Sequence, residues 1–265
     1  MTQIIDVNAY VGTWPYWSIR MKTPESLLEA ADMHAISQLW ITSLRAVLLD
    51  WVEGNEETYA FCQRSPSRLL PVITVSPFWV DDIRGYLDMC ADRGMVALRL
   101  FPVFHGYALG EYDELLSILH WANEHGTPII YSVRMFMNWG IRAASVSGVE
   151  LIARHAPNCP TILSGVNWGE IMETLTLVKR FGNLHFDLSC LALRRGIELL
   201  LKTAGSNRVL FGTGMPFQTP SSILAHLDSA CLPISADARS MVLGGNAKRM
   251  LDRASGGESD EAAAD

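Results

Sequence analysis

The chain has 265 residues, of which 49% are hydrophobic and 18% are charged. A disordered protein would be poorer in apolar residues and richer in charge, and a chain of this length can bury a full core. The net charge of −7 leaves no basic footprint for nucleic acid. We therefore predict a globular protein with no nucleic-acid partner.

The cysteines and the first residues indicate a reducing compartment. The five cysteines include no CxxC pair, which favours free thiols over disulfides or structural zinc. The first ten residues lack the basic and apolar regions of a signal peptide, and no apolar run reaches the roughly 18 residues of a membrane span. We expect a cytoplasmic protein with no membrane partner, and the sequence leaves homo-oligomerisation open.

Short apolar runs alternate with longer amphipathic stretches along the chain. The runs predicted as strands are residues 4–9, 38–42, 70–75, 96–100, 128–133, 161–164, 185–188 and 209–212. Thr23 followed by Pro24 and Glu25 is typical of a helix start. The later predicted helices are residues 55–64, 80–92, 114–125, 148–156, 170–181, 193–204, 221–229 and 236–251.

A strand followed by a helix, eight times, predicts a parallel (β/α)8 TIM barrel over residues 1–253. The alternative is an open doubly wound sheet, but the chain lacks the GxGxxG or GxxxxGK[ST] loop that is usual after its first strand. Residues 254–265 hold four acids among alanine, glycine and serine, which predicts a disordered acidic tail.

The site of such a barrel lies at the C-terminal ends of the strands, and the alternation along each strand selects the inward side chains. The residues predicted to share the inward faces are Asp6, Asn8 and Tyr10 on the first strand, Arg99 on the fourth, Ser132 and Arg134 on the fifth, and His185, Asp187 and Ser189 on the seventh.

Arg99 is the main candidate for binding an anion. It is either a clamp for a substrate carboxylate or phosphate, with Arg134 as the second half, or the partner of Asp6 or Asp187 in an internal salt bridge. Asp187 is a candidate general base if it does not serve as that ion-pair partner.

Polar and aromatic side chains near the predicted mouth complete the candidate site. Asn8, Tyr10 and Asn167 can donate hydrogen bonds to an oxyanion. His105, in the loop after the fourth strand, is a candidate general acid–base, or otherwise a turn residue beside a glycine. Trp14 either stacks on a flat ligand or closes a lid over the mouth, or else it packs on a neighbouring loop or second subunit.

Four segments are similar to the amidohydrolase-related family of TIM barrels. The opening IIDVNAYVG resembles IIDxHxHxG, and Asn55 followed by Pro66-Ser67-Arg68 resembles an N…PxR passage. NRVLFGTGMPF at 207–217 resembles RVLFGSDxP, and MVLGGNAKRML at 241–251 resembles ILxGNAxRLL. The resemblance spans residues 4–251 and implies the same barrel, with its pocket at the C-terminal ends of the strands.

The family resemblance also implies a metal position, at which this chain departs. The family binds one divalent metal through two histidines on the first strand, one histidine each on the fifth and sixth, and an aspartate on the eighth. The matching positions here are Asn8, Tyr10, Ser132, Gly165 and Gly214. Because none offers an imidazole, thiolate or carboxylate, we expect neither a metal nor another cofactor there.

Three hypotheses for function follow. The first is a metal-independent hydrolase, lactonase or decarboxylase that acts on a small carboxylated compound. The second is a catalytically inactive barrel that binds a small ligand. The third is a metal enzyme with a site rebuilt from residues such as Asp6, His105 and Asp187. The number of polar groups predicted around the mouth favours the first.

Overall fold

The computed structural model describes residues 3–78, 81–137, 140–191, 195–228 and 234–254. Eight strands form one sheet in which neighbours are parallel and follow the order of the chain. They are β1 (Ile4–Val11), β2 (Ile36–Ser43), β3 (Leu69–Thr74), β4 (Ala97–Leu100), β5 (Ile129–Ser132), β6 (Thr161–Ser164), β7 (Leu184–Asp187) and β8 (Val209–Leu210).

The segment after β8 closes the barrel against β1. The Val7 amide donates to the Phe211 carbonyl at 3.0 Å, and the Tyr10 amide donates to the Met215 carbonyl at 2.7 Å. The Gly214 amide also donates to the Asn8 carbonyl at 2.7 Å. The fold is thus the predicted (β/α)8 TIM barrel, and each predicted strand overlaps one of the eight.

Helices follow the strands and cover the outside of the barrel. They are α1 (Pro24–Met33), α2 (Leu44–Leu48), α3 (Trp51–Cys62), α4 (Ile83–Asp92), α5 (Asp113–His125), α6 (Val149–His155), α7 (Ile171–Arg180), α8 (Gly196–Ala204), α9 (Pro220–Leu227), α10 (Ala236–Ser240) and α11 (Asn246–Ala254). Among the described helices none is long and apolar enough to cross a membrane.

Local signals explain where several helices begin. Thr23 caps α1 as predicted: its hydroxyl accepts from the Ser26 amide at 3.3 Å, and Pro24 occupies the first turn. The carboxylates of Asp50 and Asp82 accept from the Glu53 and Gly85 amides in the same way at the starts of α3 and α4. Each side chain satisfies a backbone donor that the helix itself leaves unpaired.

Two helical segments differ from the prediction. The five-residue α2 directly follows β2, where we predicted none. The predicted helix at 236–251 is interrupted by a π-helical segment at Met241–Gly245. A Cβ at Gly244 would lie 2.2 Å from the Gln3 carbonyl oxygen, so glycine lets this segment pack directly on the start of β1.

Other predicted segments reach beyond the described residues. These are Val80, Leu193 and Ser229 at the ends of three predicted helices, and residues 255–265 of the predicted tail. Ala254, the first residue assigned to that tail, is instead the last residue of α11. Four of the five cysteines, Cys62, Cys90, Cys159 and Cys190, are buried free thiols as expected, and Cys231 lies outside the described residues.

Candidate functional site

Arg99 lies at the centre of a polar network inside the barrel. Its side chain is fully buried, and its Nε donates to the Ser132 hydroxyl at 2.9 Å. Its Nη2 donates to the Asn8 side-chain oxygen Oδ1 at 2.8 Å, to the Ser164 hydroxyl at 3.3 Å and to the Tyr10 hydroxyl. The predicted inward positions on β1, β4 and β5 therefore meet at one point.

Among the described residues, the buried Arg99 guanidinium has no carboxylate partner. The predicted salt bridge from Arg99 to Asp6 or Asp187 is wrong, because Asn8 stands between Arg99 and Asp187 and donates to the Asp187 Oδ2 at 3.1 Å. Arg99 Nη1 is buried and has no hydrogen-bond partner in the part of the chain that the structure describes. Since a buried cation is costly when unpaired, this nitrogen is a free donor for an anion.

Asp187 is held mainly through one of its two oxygens. Oδ1 accepts from the Ser189 amide at 3.0 Å, from the Ser189 hydroxyl at 2.6 Å and from the Gly165 amide at 3.4 Å. From the described residues, Oδ2 accepts a hydrogen bond only from the side-chain Nδ2 of Asn8. Oδ2 therefore retains capacity to accept a proton.

Asp6 and Tyr10 are buried at the same end of the molecule, and burial acts on both. Burial raises the pKa of Asp6 to about 7, although hydrogen bonds from Thr213 and from the backbone N–H of Asn8 oppose the rise. Asp6 thus ties β1 to the segment after β8 instead of pairing with Arg99. Burial also raises the pKa of Tyr10, so its hydroxyl stays protonated at neutral pH.

Aromatic side chains cover the network at the barrel mouth. Trp14 is 3% exposed, and its ring packs edge-on against Phe136 and Phe217 at centroid distances of 5.3 and 5.0 Å. Phe136 and Phe217 stack at 4.5 Å, and Phe217 also contacts Tyr10 at 5.9 Å. We call Trp14, Phe136 and Phe217 the aromatic roof. Trp14 packs on side chains of other loops, which was one of its two predicted roles, and contact with a flat ligand stays a prediction.

His105 contacts α2 and Phe101 and is not hydrogen-bonded to the described residues of the network. Its Nε2 is 3.1 Å from the Ala46 carbonyl oxygen in α2, and its ring lies 6.1 Å from that of Phe101. Phe101 in turn lies 5.0 Å from the Arg99 guanidinium. Burial lowers the pKa of His105, so the imidazole is neutral at pH 7. No described hydrogen bond joins His105 to Arg99 or Asp187.

Arg134 forms a separate ion pair with Glu170, which Asn167 also contacts. Arg134 forms two hydrogen bonds with Glu170, at 2.9 and 2.6 Å, and one with the Gly165 carbonyl at 3.3 Å. The backbone N–H of Asn167 donates to the same carboxylate at 3.0 Å, and the Asn167 side-chain oxygen accepts from the backbone N–H of Trp168. Glu170 therefore already neutralises the predicted second half of the anion clamp.

The residues at the family's metal position do not fit a divalent metal. An amide, a phenol, a hydroxyl and two glycines lack the donors that such ions prefer. The Asn8 and Tyr10 oxygens also accept hydrogen bonds from Arg99, so a cation already uses them. Within the described residues, no group of three His, Cys, Asp or Glu side chains could hold a metal, which includes Asp6, His105 and Asp187.

Several residues of this site were not singled out from the sequence. Ser164 binds Asn8, and strand alternation could have indicated Ser164 at the end of β6. Phe136, Phe217 and Glu170 lie in loops, where no periodicity predicts the direction of a side chain.

Comparison with known proteins gives one family and a set of similar folds. The Amidohydrolase family model matches residues 46–253. No curated protein sequence matches the chain.

Three solved structures illustrate the similarity of fold. An uncharacterized TIM-barrel protein from Bordetella bronchiseptica has a TM-score of 0.73 at 17% identity, covering 96% of this chain and 99% of that one. A 2,6-dihydroxybenzoate decarboxylase from Rhizobium has a TM-score of 0.73 at 13% identity, with coverages of 95% and 99%. A putative 2-pyrone-4,6-dicarboxylic acid hydrolase from Pseudomonas putida has a TM-score of 0.70 at 16% identity, with coverages of 96% and 98%.

Proposed function

Because the chain belongs to the amidohydrolase family, we propose that it is a hydrolase, lactonase or decarboxylase that acts on a small carboxylated compound without a divalent metal. The observation that carries this proposal is the buried Arg99 guanidinium, which lies where the family binds its metal and lacks a carboxylate partner within the described ranges of the chain. The names of two structural relatives, a dihydroxybenzoate decarboxylase and a putative pyrone-dicarboxylate hydrolase, support a carboxylated ring as substrate.

Arg99 supplies the positive charge for the substrate anion. Asn8, Ser132 and Ser164 fix three of its donor bonds, so the guanidinium is already oriented before the substrate arrives. The unbonded Nη1 can then donate to a carboxylate or to an oxyanion that develops during the reaction. A fixed donor in a dry site stabilises charge more than the same donor would in water.

The aromatic roof favours a flat substrate. Trp14, Phe136 and Phe217 form a continuous set of ring contacts, and Phe217 extends this set to Tyr10. A planar ring could insert among them by edge-to-face contact, while its carboxylate reaches Arg99. Since Trp14 is 3% exposed, the substrate enters by displacing part of this roof.

Asp187 is the proposed proton acceptor. In a hydrolysis its Oδ2 would take a proton from water as the water oxygen bonds to the acyl carbon, and Arg99 with the Tyr10 hydroxyl would stabilise the oxyanion. The bond to the leaving oxygen then breaks, and the proton passes from Asp187 to that oxygen. His105 is the alternative proton donor, although it contacts Phe101 and is not hydrogen-bonded to the described residues of the network.

The second candidate function is a binding protein of the same fold without turnover. The hydrogen bonds that hold Asp187 favour it, because Ser189, Gly165 and Asn8 already satisfy much of this carboxylate. Such a protein would bind the same carboxylates through Arg99 but would leave them unchanged.

Turnover by chelator-treated protein distinguishes the two candidates. A panel of hydroxybenzoates and carboxylated lactones is incubated with the wild-type chain, and products are followed by chromatography. Asp187→Asn should keep substrate binding but lose at least about a hundredfold in kcat, the scale of a general base. Asp32→Asn, on the exposed end of α1, is the matched control.

Two results contradict the proposal in different ways. Binding of the panel without any turnover would favour the binding protein. Failure of every carboxylate to bind would remove both candidates.

A further inference from the structure

A second polar cavity lies at the opposite end of the barrel from Arg99. It has a volume of about 350 Å³ and lies beside the residues that enter β6, β7 and β8, with α11 on one side. We call it the lower cavity and define it by Asn183, His185, Arg208, Asn246, Arg249 and Arg253. Because these residues lie just before strands, at the start of β7 or on α11, the lower cavity is separate from the candidate site.

Three arginines give the lower cavity a positive charge that no described carboxylate neutralises. Arg208, Arg249 and Arg253 form no ion pair within the part of the chain that the structure describes. By contrast, ten other arginines do pair with acids. They are Arg45, Arg64, Arg68, Arg84, Arg93, Arg134, Arg154, Arg180, Arg195 and Arg239.

The backbone holds Arg208 in place. Its Nε donates to the Ala204 carbonyl at 2.7 Å, and its Nη1 donates to the Val178 and Phe181 carbonyls at 3.0 and 3.1 Å. These bonds satisfy the C-terminal carbonyls of α7 and α8 and leave Nη2 without a described partner. Arg208 therefore presents a fixed donor, and a fixed guanidinium loses less entropy when it binds an anion.

The pKa of His185 depends on the charges around the lower cavity. Its Nδ1 lies 3.0 Å from the Asn183 carbonyl oxygen. Burial, followed by the charges of Arg208, Arg253 and Arg249, lowers the pKa of His185 to about 4. At pH 7 the lower cavity thus contains three cations and a neutral imidazole.

We propose that the lower cavity is a second ligand site, which binds the phosphate group of a small organic phosphate. Guanidinium groups bind phosphate oxygens through paired hydrogen bonds, and several of them can share one dianion. A volume of about 350 Å³ lies at the small end of the range for small-molecule sites, which suits a phosphate with a short organic part.

Binding of inorganic phosphate to the full chain tests this proposal, with acetate at the same ionic strength as the carboxylate comparison. We expect phosphate, more than acetate, to raise the thermal midpoint of the wild-type chain. The variant Arg249→Gln/Arg253→Gln should bind phosphate at least tenfold more weakly. Lys248→Gln is the control, because Lys248 is an exposed cation on α11 that does not line the lower cavity.

The His185 imidazole provides a second readout. Bound phosphate should offset the nearby arginines, so the pKa of His185 followed by NMR should rise from about 4 towards its ordinary value. The other histidines should not respond in this way. This readout remains valid if the double variant proves unstable, because it uses the wild-type chain.

The acids of residues 255–265 follow Arg253 in sequence and could compete with phosphate. Both measurements are therefore repeated on a variant in which Glu258, Asp260, Glu261 and Asp265 are replaced by their amides. If phosphate moves neither the thermal midpoint nor the His185 pKa in either chain, the proposal is overturned. Equal phosphate binding by Arg249→Gln/Arg253→Gln and Lys248→Gln would overturn it as well.

Discussion

At the scale of single residues, the environment of a charge decides what it can do. Arg134 and Arg99 are both guanidiniums in strand-end positions, yet Glu170 neutralises the first while neutral oxygens surround the second. The unsatisfied charge of Arg99 is therefore available to a ligand, and that of Arg134 is not.

A buried histidine gives a pH-dependent stability at the same scale. Since the folded chain holds the pKa of His185 near 4, below the ordinary 6.5, only the unfolded chain takes up this proton as the pH falls between these values. The free energy of unfolding should therefore drop by about 2 kcal/mol from pH 7 to pH 5 through this residue alone.

Urea unfolding of the wild-type chain and of His185→Gln at both pH values, in buffer without phosphate, measures this contribution. The variant should lose less stability on acidification than the wild type. Equal losses in the two chains would show that His185 does not contribute.

At the scale of the elements, the sequence predicts the barrel well because its signals are local. The apolar runs locate all eight strands, and strand alternation places Asn8, Tyr10 and Arg99 together. The partners of Arg134 and His105 could not be predicted in this way. Both are held by groups distant in sequence, Glu170 and Ala46, whose positions depend on the packing of loops and helices.

The cap of α1 is a prediction made from sequence and present in the structure. Thr23→Ala should lower the free energy of unfolding by about 1 kcal/mol, because the Ser26 amide loses its acceptor. Thr23→Ser keeps the hydroxyl and should cost much less. A denaturant midpoint for Thr23→Ala equal to that of the wild type would contradict the prediction.

The contact between α2 and α3 depends on a glycine. Helix propensity alone would make Gly54→Ala stabilising by about 1 kcal/mol. A Cβ there would, however, lie 2.1 Å from the Ala46 backbone nitrogen, so the two helices must move apart. We expect a net destabilisation of about 2 kcal/mol, within the range for overpacking.

Gly182→Ala is the control for this substitution, because nothing lies within 4 Å of a Cβ built there. Thermal unfolding should separate the two variants clearly. If Gly54→Ala proved as stable as Gly182→Ala, the close packing of α2 on α3 would be refuted.

At the scale of the whole molecule, the barrel has two positively charged interiors at opposite ends. Arg99 and the aromatic roof lie at the C-terminal ends of the strands, and the lower cavity lies where β6, β7 and β8 begin. The molecule carries a net charge of −7, so both sites are local regions of positive charge in a protein that is negative overall. Such concentrations attract anions selectively, because the surrounding negative charge repels them elsewhere.

The central claim is that Arg99 binds a carboxylate where relatives of this fold family use a metal. Calorimetric titration of a hydroxybenzoate into chelator-treated protein, repeated with added Mn²⁺ or Zn²⁺, tests it most directly. The metal-free wild type should bind, and added metal should not strengthen binding. Arg99→Met should lose about 2 kcal/mol of binding free energy, roughly thirtyfold in Kd, while Arg93→Met on α4 should bind normally. Binding that requires added metal, or equal affinity in Arg99→Met, would contradict the claim.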